Sequence, residues 1–343
     1  PPRSTLFPYT TLFRSYQGAG SSAVNALQVD ALLDCIKADD SGISFVGYAS
    51  GFDRQGAADP KKQEEAVSLA KQADTVLLCL GLDELRESEG LDRADMALAE
   101  NQQQLLDAVA AVNPNVVVLL SAGAPVETPW VGRCKALVYG ALGGQAGAGA
   151  AADILTGKLC PCGKLSQTWA KAYDDTPAKA NFGGEGRNVE YREGLYVGYR
   201  YFETAGRPVA FPFGYGLSYT TFAYKDLKAT PEGVTLTVTN TGRCAGAEVV
   251  QLYVAKPDAK VFRPAQELKG FAKVWLEAGE SKTVSIPLDD KAYRYWNVAT
   301  DSWEVEGGSY QLRVGASSAD IRLTAEVVVL GSGAPDPYQS VDL

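Results

Sequence analysis

The sequence predicts a two-part molecule: an α/β sandwich built on a largely parallel sheet, then an all-β sandwich. Three observations carry this expectation. The chain has 343 residues, more than one ordinary domain uses. From about residue 24 to 170, short and nearly continuous apolar runs alternate with stretches of helical spacing, as in a sheet buried on both faces. After about residue 231 the hydrophobic period becomes two and stays so for about 100 residues.

In the first part, "NALQVDALLDCIKA" (25–38) is spaced as a helix and "ISFVGYA" (43–49) follows as a strand. "KKQEEAVSLAKQAD" (61–74) is a helix with a charged outer face, and "TVLLCLG" (75–81) the next strand. "ADMALAENQQQLLDAVAAV" (94–112) sets Leu98, Leu105, Val109 and Val112 on one helical stripe. "NVVVLLSAG" and "KALVYGAL" are strands, "GQAGAGAAADILTG" is a small-residue helix ending at Gly157, and "GKLSQTW" (163–169) is one more strand. Residues 172–222 are rich in Gly, Tyr, Phe and Arg without periodicity, which reads as long ordered loops that line a site or pack the two halves together. Beyond them come "VTLTVTNTG", "AEVVQLYVA", "QELKGFAKVWL", "KTVSIPL", "YRYWNVATDSWEVE", "SYQLRVGA" and "IRLTAEVVVL". About seven such strands at short spacing make a sandwich of immunoglobulin or fibronectin type III kind. The Trp and Tyr residues of 293–303 read as the core pair of a hairpin.

Composition removes several chemistries. The chain holds no histidine, so a Ser-His-Asp triad, a Cys-His dyad and a His-ligated zinc are impossible within it. Acid/base work falls to carboxylates, Lys, Tyr or Cys. With 32 basic and 41 acidic residues, a net charge of −9 and no basic cluster, nucleic acid is not an expected partner. No apolar run approaches the roughly 20 residues of a membrane span, so no membrane partner is expected. Six scattered cysteines read as reduced, mostly buried thiols, the cytoplasmic pattern. Cys160-Pro161-Cys162 reads as a turn rather than a metal or redox pair. "STLFPYTTLFRS" (4–15) repeats its own Thr-Leu-Phe and lacks the core of a secretory signal; residues 1–15 are expected to be non-native.

The chemistry-bearing stretch is "LCLGLDELRESEGLDRADM" (78–96). Asp83, Glu84, Glu87, Glu89 and Asp92 crowd a loop that leaves the carboxyl end of the 75–81 strand, with Arg86 and Arg93 among them. In doubly wound sheets ligands sit outside the carboxyl ends of the strands. A solvated turn is the plain alternative; Gly90 would let the backbone turn and present Glu89 to a cleft. "GAGAAA" (Gly147, Gly149, Ala152) fits a dinucleotide fingerprint only loosely, without the later acidic residue, and reads as close helix packing.

Together, "GLDE" with "EGLDR", "NPNVVVLLSAGAPVETPW", "ILTGKLCPCGKLSQTW", "YREGLYVGYRYF" and "FPFGYGLSYTTF" resemble glycoside hydrolase family 3, whose best-known members are β-glucosidases. "QGAGSS" (17–22) resembles the family's entry into its second domain, and 238–281 its fibronectin type III-like domain. The resemblance spans nearly all of 16–331. It implies 16–222 as the α/β sandwich domain, 223–230 as linker, 231–331 as the fibronectin type III-like domain and 332–343 as a tail. It further implies that the family's N-terminal TIM-like barrel, which carries the Asp nucleophile, lies upstream together with any signal peptide.

By that resemblance the general acid/base is Glu89, with Glu87 as runner-up, and Asp92 and Arg93 hold the loop and shape the site. The loops at 181–202 either border the leaving-group side of the cleft or pack between domains. The implied reaction is retaining hydrolysis of a terminal β-linked sugar, with a β-glycoside or oligosaccharide as substrate and no metal or organic cofactor. An acid in that role is expected to have its pKa raised. The barrel of the same polypeptide is the implied partner, and the chain alone is expected to be inactive. A non-catalytic carbohydrate-associated or structural module is the rival reading.

Overall fold

The last residue of the first strand, Gly81, has no room for a side chain: a Cβ there would meet the Ser121 carbonyl oxygen at 2.2 Å. It ends β1 (Val76–Gly81), which pairs in parallel with β2 (Val116–Ser121), and β2 pairs in parallel with β3 (Ala136–Tyr139). The computed structural model describes residues 17–21, 23–335 and 337–338. Two packing units divide these residues: 17–159 with 171–173, and 160–170 with 174–338.

In the first unit the sheet is covered on both faces. Helices α1 (Leu32–Lys37) and α4 (Gly147–Leu155) form one cluster with Leu77, Cys79, Leu119 and Val138. Leu78, Leu80, Val118 and Leu120 point the other way and are buried. That face falls to α2 (Pro60–Ala70) and α3 (Glu100–Ala110), which pack on each other. The start of α2 follows from local chemistry: Asp59 accepts from the Lys61 and Lys62 N–H groups, and Pro60 takes the first helical position. Leu98, Leu105 and Val109 of the expected stripe are buried, and Val112 is half-buried.

In the second unit, β4 (Trp169–Ala170), α5 (Tyr199–Thr204) and β5 (Val209–Phe211) precede two antiparallel sheets. One has the order β10–β7–β6, from β6 (Phe222–Thr230), β7 (Gly233–Asn240) and, later in the chain, β10 (Ser281–Pro287). The other has the order β14–β13–β8–β9, from β8 (Gly246–Ala255), β9 (Glu267–Leu276), β13 (Gly308–Gly315) and β14 (Ile321–Val329). Leu236, Val238, Leu252, Ile286 and Leu312 fill the space between them. A hairpin of β11 (Arg294–Asn297) and β12 (Ser302–Val305) stands apart. The aromatic-rich loops pack within this unit: Tyr199 stacks on Phe213 at 4.8 Å and meets Tyr253 of β8 edge-on at 5.9 Å.

Several local expectations change. The helix expected over 25–38 is confined to Leu32–Lys37, and Ile43–Ala49 is not part of the sheet. Of 163–169 only Trp169 is strand, paired antiparallel with Phe211. Where a linker was expected, Phe222–Thr230 is a strand; a register shift after Lys225, with Asp226 at φ +56°, breaks the alternation that would have revealed it. Trp296 and Trp303 are no core pair. They face each other across the hairpin, edge-on at 5.5 Å, and are 47% and 60% exposed, while the pleat turns Asn297 inward.

Candidate active site

The loop after β1 is held at its base by its own acids. Leu82 N–H donates to Ser121 O, and the buried Asp83 carboxylate accepts from Leu85 N–H and Arg86 N–H, both at 2.9 Å. Glu87 reaches the loop after β2, where its Oε2 accepts from Gly123 N–H at 2.9 Å. A side chain at residue 123 would collide with that carboxylate, since a Cβ there lies 2.8 Å from Glu87 Oε1. Arg93 donates from Nη1 to Pro125 O at 3.1 Å, tying the far end of the loop to the same place. Burial lowers the Arg93 pKa, with Glu87 acting against it. Tyr139, at the end of β3, donates to Ala122 O at 2.7 Å; burial, then the Glu87 charge, raises its pKa.

Glu89 sits at the exposed tip. Ala19 bridges Ser88 in parallel, which brings the 17–21 segment alongside the loop. The Ser21 N–H donates to Glu89 Oε2 at 2.7 Å, and Ser21 Oγ bonds the same oxygen. Glu89 Oε1 makes no hydrogen bond among the described residues. Gly20 fits here because it has φ +87° and a Cβ on it would lie 2.7 Å from Glu89 Cβ. Gly90, at φ +77°, makes the turn its type suggests. The two Ser21 hydrogen bonds, side chain first, hold the Glu89 carboxyl below the usual range. This is the opposite of the rise expected of a general acid, so within these residues nothing keeps Glu89 protonated.

Glu87, Glu89 and Arg93 thus belong to one loop anchored to the carboxyl ends of β1 and β2, and Asp92 lies exposed on it. Glu87 is the structural tie and Glu89 the outward carboxylate. Ser21, Gly123 and Tyr139 were not singled out from sequence. Ser21 stands 68 positions from Glu89, beyond the reach of any local pattern, although it lies in the "QGAGSS" motif. Among the described residues no group of three or more Cys, Asp and Glu side chains is placed to hold a metal.

Comparison with known proteins identifies the family. Residues 13–219 match the model of the glycosyl hydrolase family 3 C-terminal domain, and 248–318 that of a fibronectin type III-like domain. The chain is 44% identical over 329 residues to an exo-α-(1→6)-L-arabinopyranosidase of Bifidobacterium breve, covering 94% of this chain and 43% of that protein. It is 42% identical over 323 residues to thermostable β-glucosidase B of Acetivibrio thermocellus, covering 92% and 43%. The crystal structure of a Bifidobacterium adolescentis family 3 β-glucosidase superposes with a TM-score of 0.88 at 44% identity, covering 92% of this chain and 48% of the other. The chain therefore spans less than half the length of these relatives. It belongs to glycoside hydrolase family 3.

Proposed function

We propose that this chain supplies the general acid/base, Glu89, of a retaining β-glucosidase-like glycoside hydrolase acting on terminal β-linked sugars. The observation that carries the reading is the Glu89 carboxylate, exposed at the tip of an anchored loop at the carboxyl end of β1, one oxygen held by Ser21 and the other without a hydrogen bond among the described residues. A retaining glycosidase needs two carboxyl groups about 5–5.5 Å apart. One attacks the anomeric carbon; the other protonates the departing oxygen and then, as a base, activates water. In this reading the nucleophile is an Asp on the barrel domain of the longer polypeptide. Its negative charge is what lifts Glu89 back into the range of an acid. Glu87 and Arg93 hold the loop, and no cofactor takes part.

Hydrolysis of an aryl β-glucoside tests this, with circular dichroism confirming the fold. The chain alone is expected to be folded and inactive. Joined to its barrel it is expected to turn over, and Glu89→Gln to lower kcat by about 10²–10⁴-fold. Glu87→Gln, which keeps the loop's shape, is expected to cost less. Turnover by the chain alone that vanishes in Glu89→Gln would place both carboxylates within it and overturn the division of labour. Full activity of the joined Glu89→Gln protein would remove the assignment and favour a non-catalytic module.

A further inference from the structure

Two cysteines from distant parts of the chain meet in the second unit. Cys160 is the first residue of that unit, a few positions after α4, and Cys244 stands on the turn between β7 and β8. Cys244 is exposed, Cys160 is half-buried, and both are free thiols. The two side chains hydrogen-bond to each other.

Buried groups fix both partners. Asn240, at the end of β7, is fully buried; its Nδ2 donates to Cys244 O at 2.9 Å, and its Oδ1 accepts from Gly242 N–H at 3.1 Å. Thr220 Oγ1 donates to the same Oδ1, and the Thr220 side chain also bonds the Cys244 thiol. Gly242 has no room for a side chain, since a Cβ there would lie 2.2 Å from Thr220 Oγ1. Cys160 is seated two residues away on the same segment: its Sγ lies 3.0 Å from Ser218 Oγ. At the far end of the turn, a Cβ on Gly246 would come within 3.0 Å of that sulfur. Ser218 thus touches one cysteine and Thr220 the other, so the pair is set by a hydrogen-bonded turn rather than by two mobile side chains.

Close packing is the plain alternative. A cysteine used for packing behaves as a small buried hydrophobe, and Cys244 is exposed. Among the described residues no third Cys, Asp or Glu joins the pair to make a metal site. What remains is two thiols in contact, one of them open to solvent, which is what thiol–disulfide exchange requires: an accessible sulfur to be attacked and a second within reach to resolve it.

We propose that Cys160 and Cys244 are a modification site: they form a reversible disulfide that fastens the start of the second unit to the β7–β8 turn, with a small-molecule disulfide such as glutathione disulfide as the oxidant. The exposed Cys244, as thiolate, attacks one sulfur of the small disulfide; that S–S bond breaks and one small thiolate leaves. Cys160 gives up its proton and attacks the Cys244 sulfur of the mixed disulfide, and the second small thiolate departs. The two protein sulfurs lose two electrons between them, the small disulfide is reduced to two thiols, and these take up the two protons. The new bond closes a loop of about 85 residues, containing β4, α5, β5, β6 and β7, and so restricts the unfolded chain. The stability of this unit then depends on the redox state around it. The inference stands on the turn and its two thiols, independently of the reading of Glu89.

The test incubates the full chain with glutathione disulfide at mildly alkaline pH, because burial and then the Cys160 neighbour raise the Cys244 pKa. Intact mass, alkylation with iodoacetamide after denaturation, and peptide mapping read the product. The chain is expected to lose two hydrogen atoms and two alkylatable thiols, and the map to show the Cys160 and Cys244 peptides joined. Thermal unfolding is expected to shift upward by roughly 5–10 °C and to return with dithiothreitol. Cys160→Ser and Cys244→Ser are each expected to abolish the bond and the shift, while Cys162→Ser keeps both. Should Cys160→Ser fold poorly, the exposed Cys244→Ser carries the test alone. A lasting glutathione adduct on Cys244 would show that Cys160 does not resolve it, and would overturn the proposal. A Cys160–Cys162 bond, or a bond between two chains on a non-reducing gel, would do the same. A Cys160–Cys244 bond that leaves the unfolding temperature unchanged would overturn the fastening role.

Discussion

The two packing units complete their cores by different means. In the β-sandwich unit Leu236, Leu252, Tyr310 and Leu312 are all but inaccessible, and strands near in sequence provide most of the pairing. In the α/β unit the helices cover both faces, yet the sheet stops at β1 with a slot beside it. Antiparallel pairs close through short turns, whereas a parallel strand takes its neighbour from a crossover a dozen or more residues long. A sandwich is thus completed by nearby sequence, and a doubly wound sheet depends on chain that is far away.

The largest effect expected from this contrast is in the sandwich core. Leu312→Ala removes a fully buried side chain from between two closed sheets and is expected to cost about 2–5 kcal/mol. Leu77→Ala, on β1 beside the slot, deletes atoms that already lack neighbours on one side and is expected to cost clearly less. Urea unfolding of the two variants measures both. Equal losses would break the comparison and mean that the slot is filled in solution.

A smaller effect concerns the polar groups at the edges. Asn240 is fully buried and donates to Cys244 O and Leu276 O, while its Oδ1 accepts from Thr220 Oγ1 and Gly242 N–H. Gln102 serves only Gly81. Gln102→Ala is expected to cost about 1–3 kcal/mol by stranding the Gly81 groups. Asn240→Ala, with twice as many bonds, is expected to exceed it in the same titration. The reverse order would mean that the β1 edge depends on Gln102 more than the hairpin turns depend on Asn240.

The same contrast explains what could be read from sequence. The sandwich strands were legible because each carries its own alternation; Phe222–Thr230 escaped because the register shift after Lys225 breaks it. The hairpin tryptophans misled because hydrophobicity alone does not say which side of the pleat faces in, and Asn297 took that side. In the α/β unit β1, β2 and α3 were legible as apolar runs and stripes. The "ISFVGYA" segment has the composition of a strand, but pairing needs a neighbour that local sequence cannot reveal. The acidic loop was legible by its place after β1. Its anchoring through Gly123 and Ser21 was not, since both contacts join residues far apart in sequence.

The smallest expected effect is the one closest to the chemistry. Ser21→Ala removes the Oγ bond to Glu89 Oε2 and keeps the backbone one. The side-chain bond is the larger cause of the lowered Glu89 pKa, so the variant is expected to raise it toward the ordinary carboxyl value. The 17–21 segment presents no titratable side chain, and Ser21→Thr is expected to keep the wild-type value. A carboxyl carbon titration by NMR, with the Glu89 signal assigned from Glu89→Gln, measures the shift. The sign for stability follows: a depressed folded value stabilises the native state above the ordinary carboxyl pKa, and that gain is lost as pH falls through the lowered value. Ser21→Ala therefore lowers the stability that this carboxylate contributes above the ordinary carboxyl pKa, neutral pH included, and the difference from the wild type fades as pH falls through the lowered value. An unshifted Glu89 in Ser21→Ala would mean that the backbone N–H alone sets its protonation. The segment would then act on the acid through where its chain runs, and the Ser21 hydroxyl would contribute nothing.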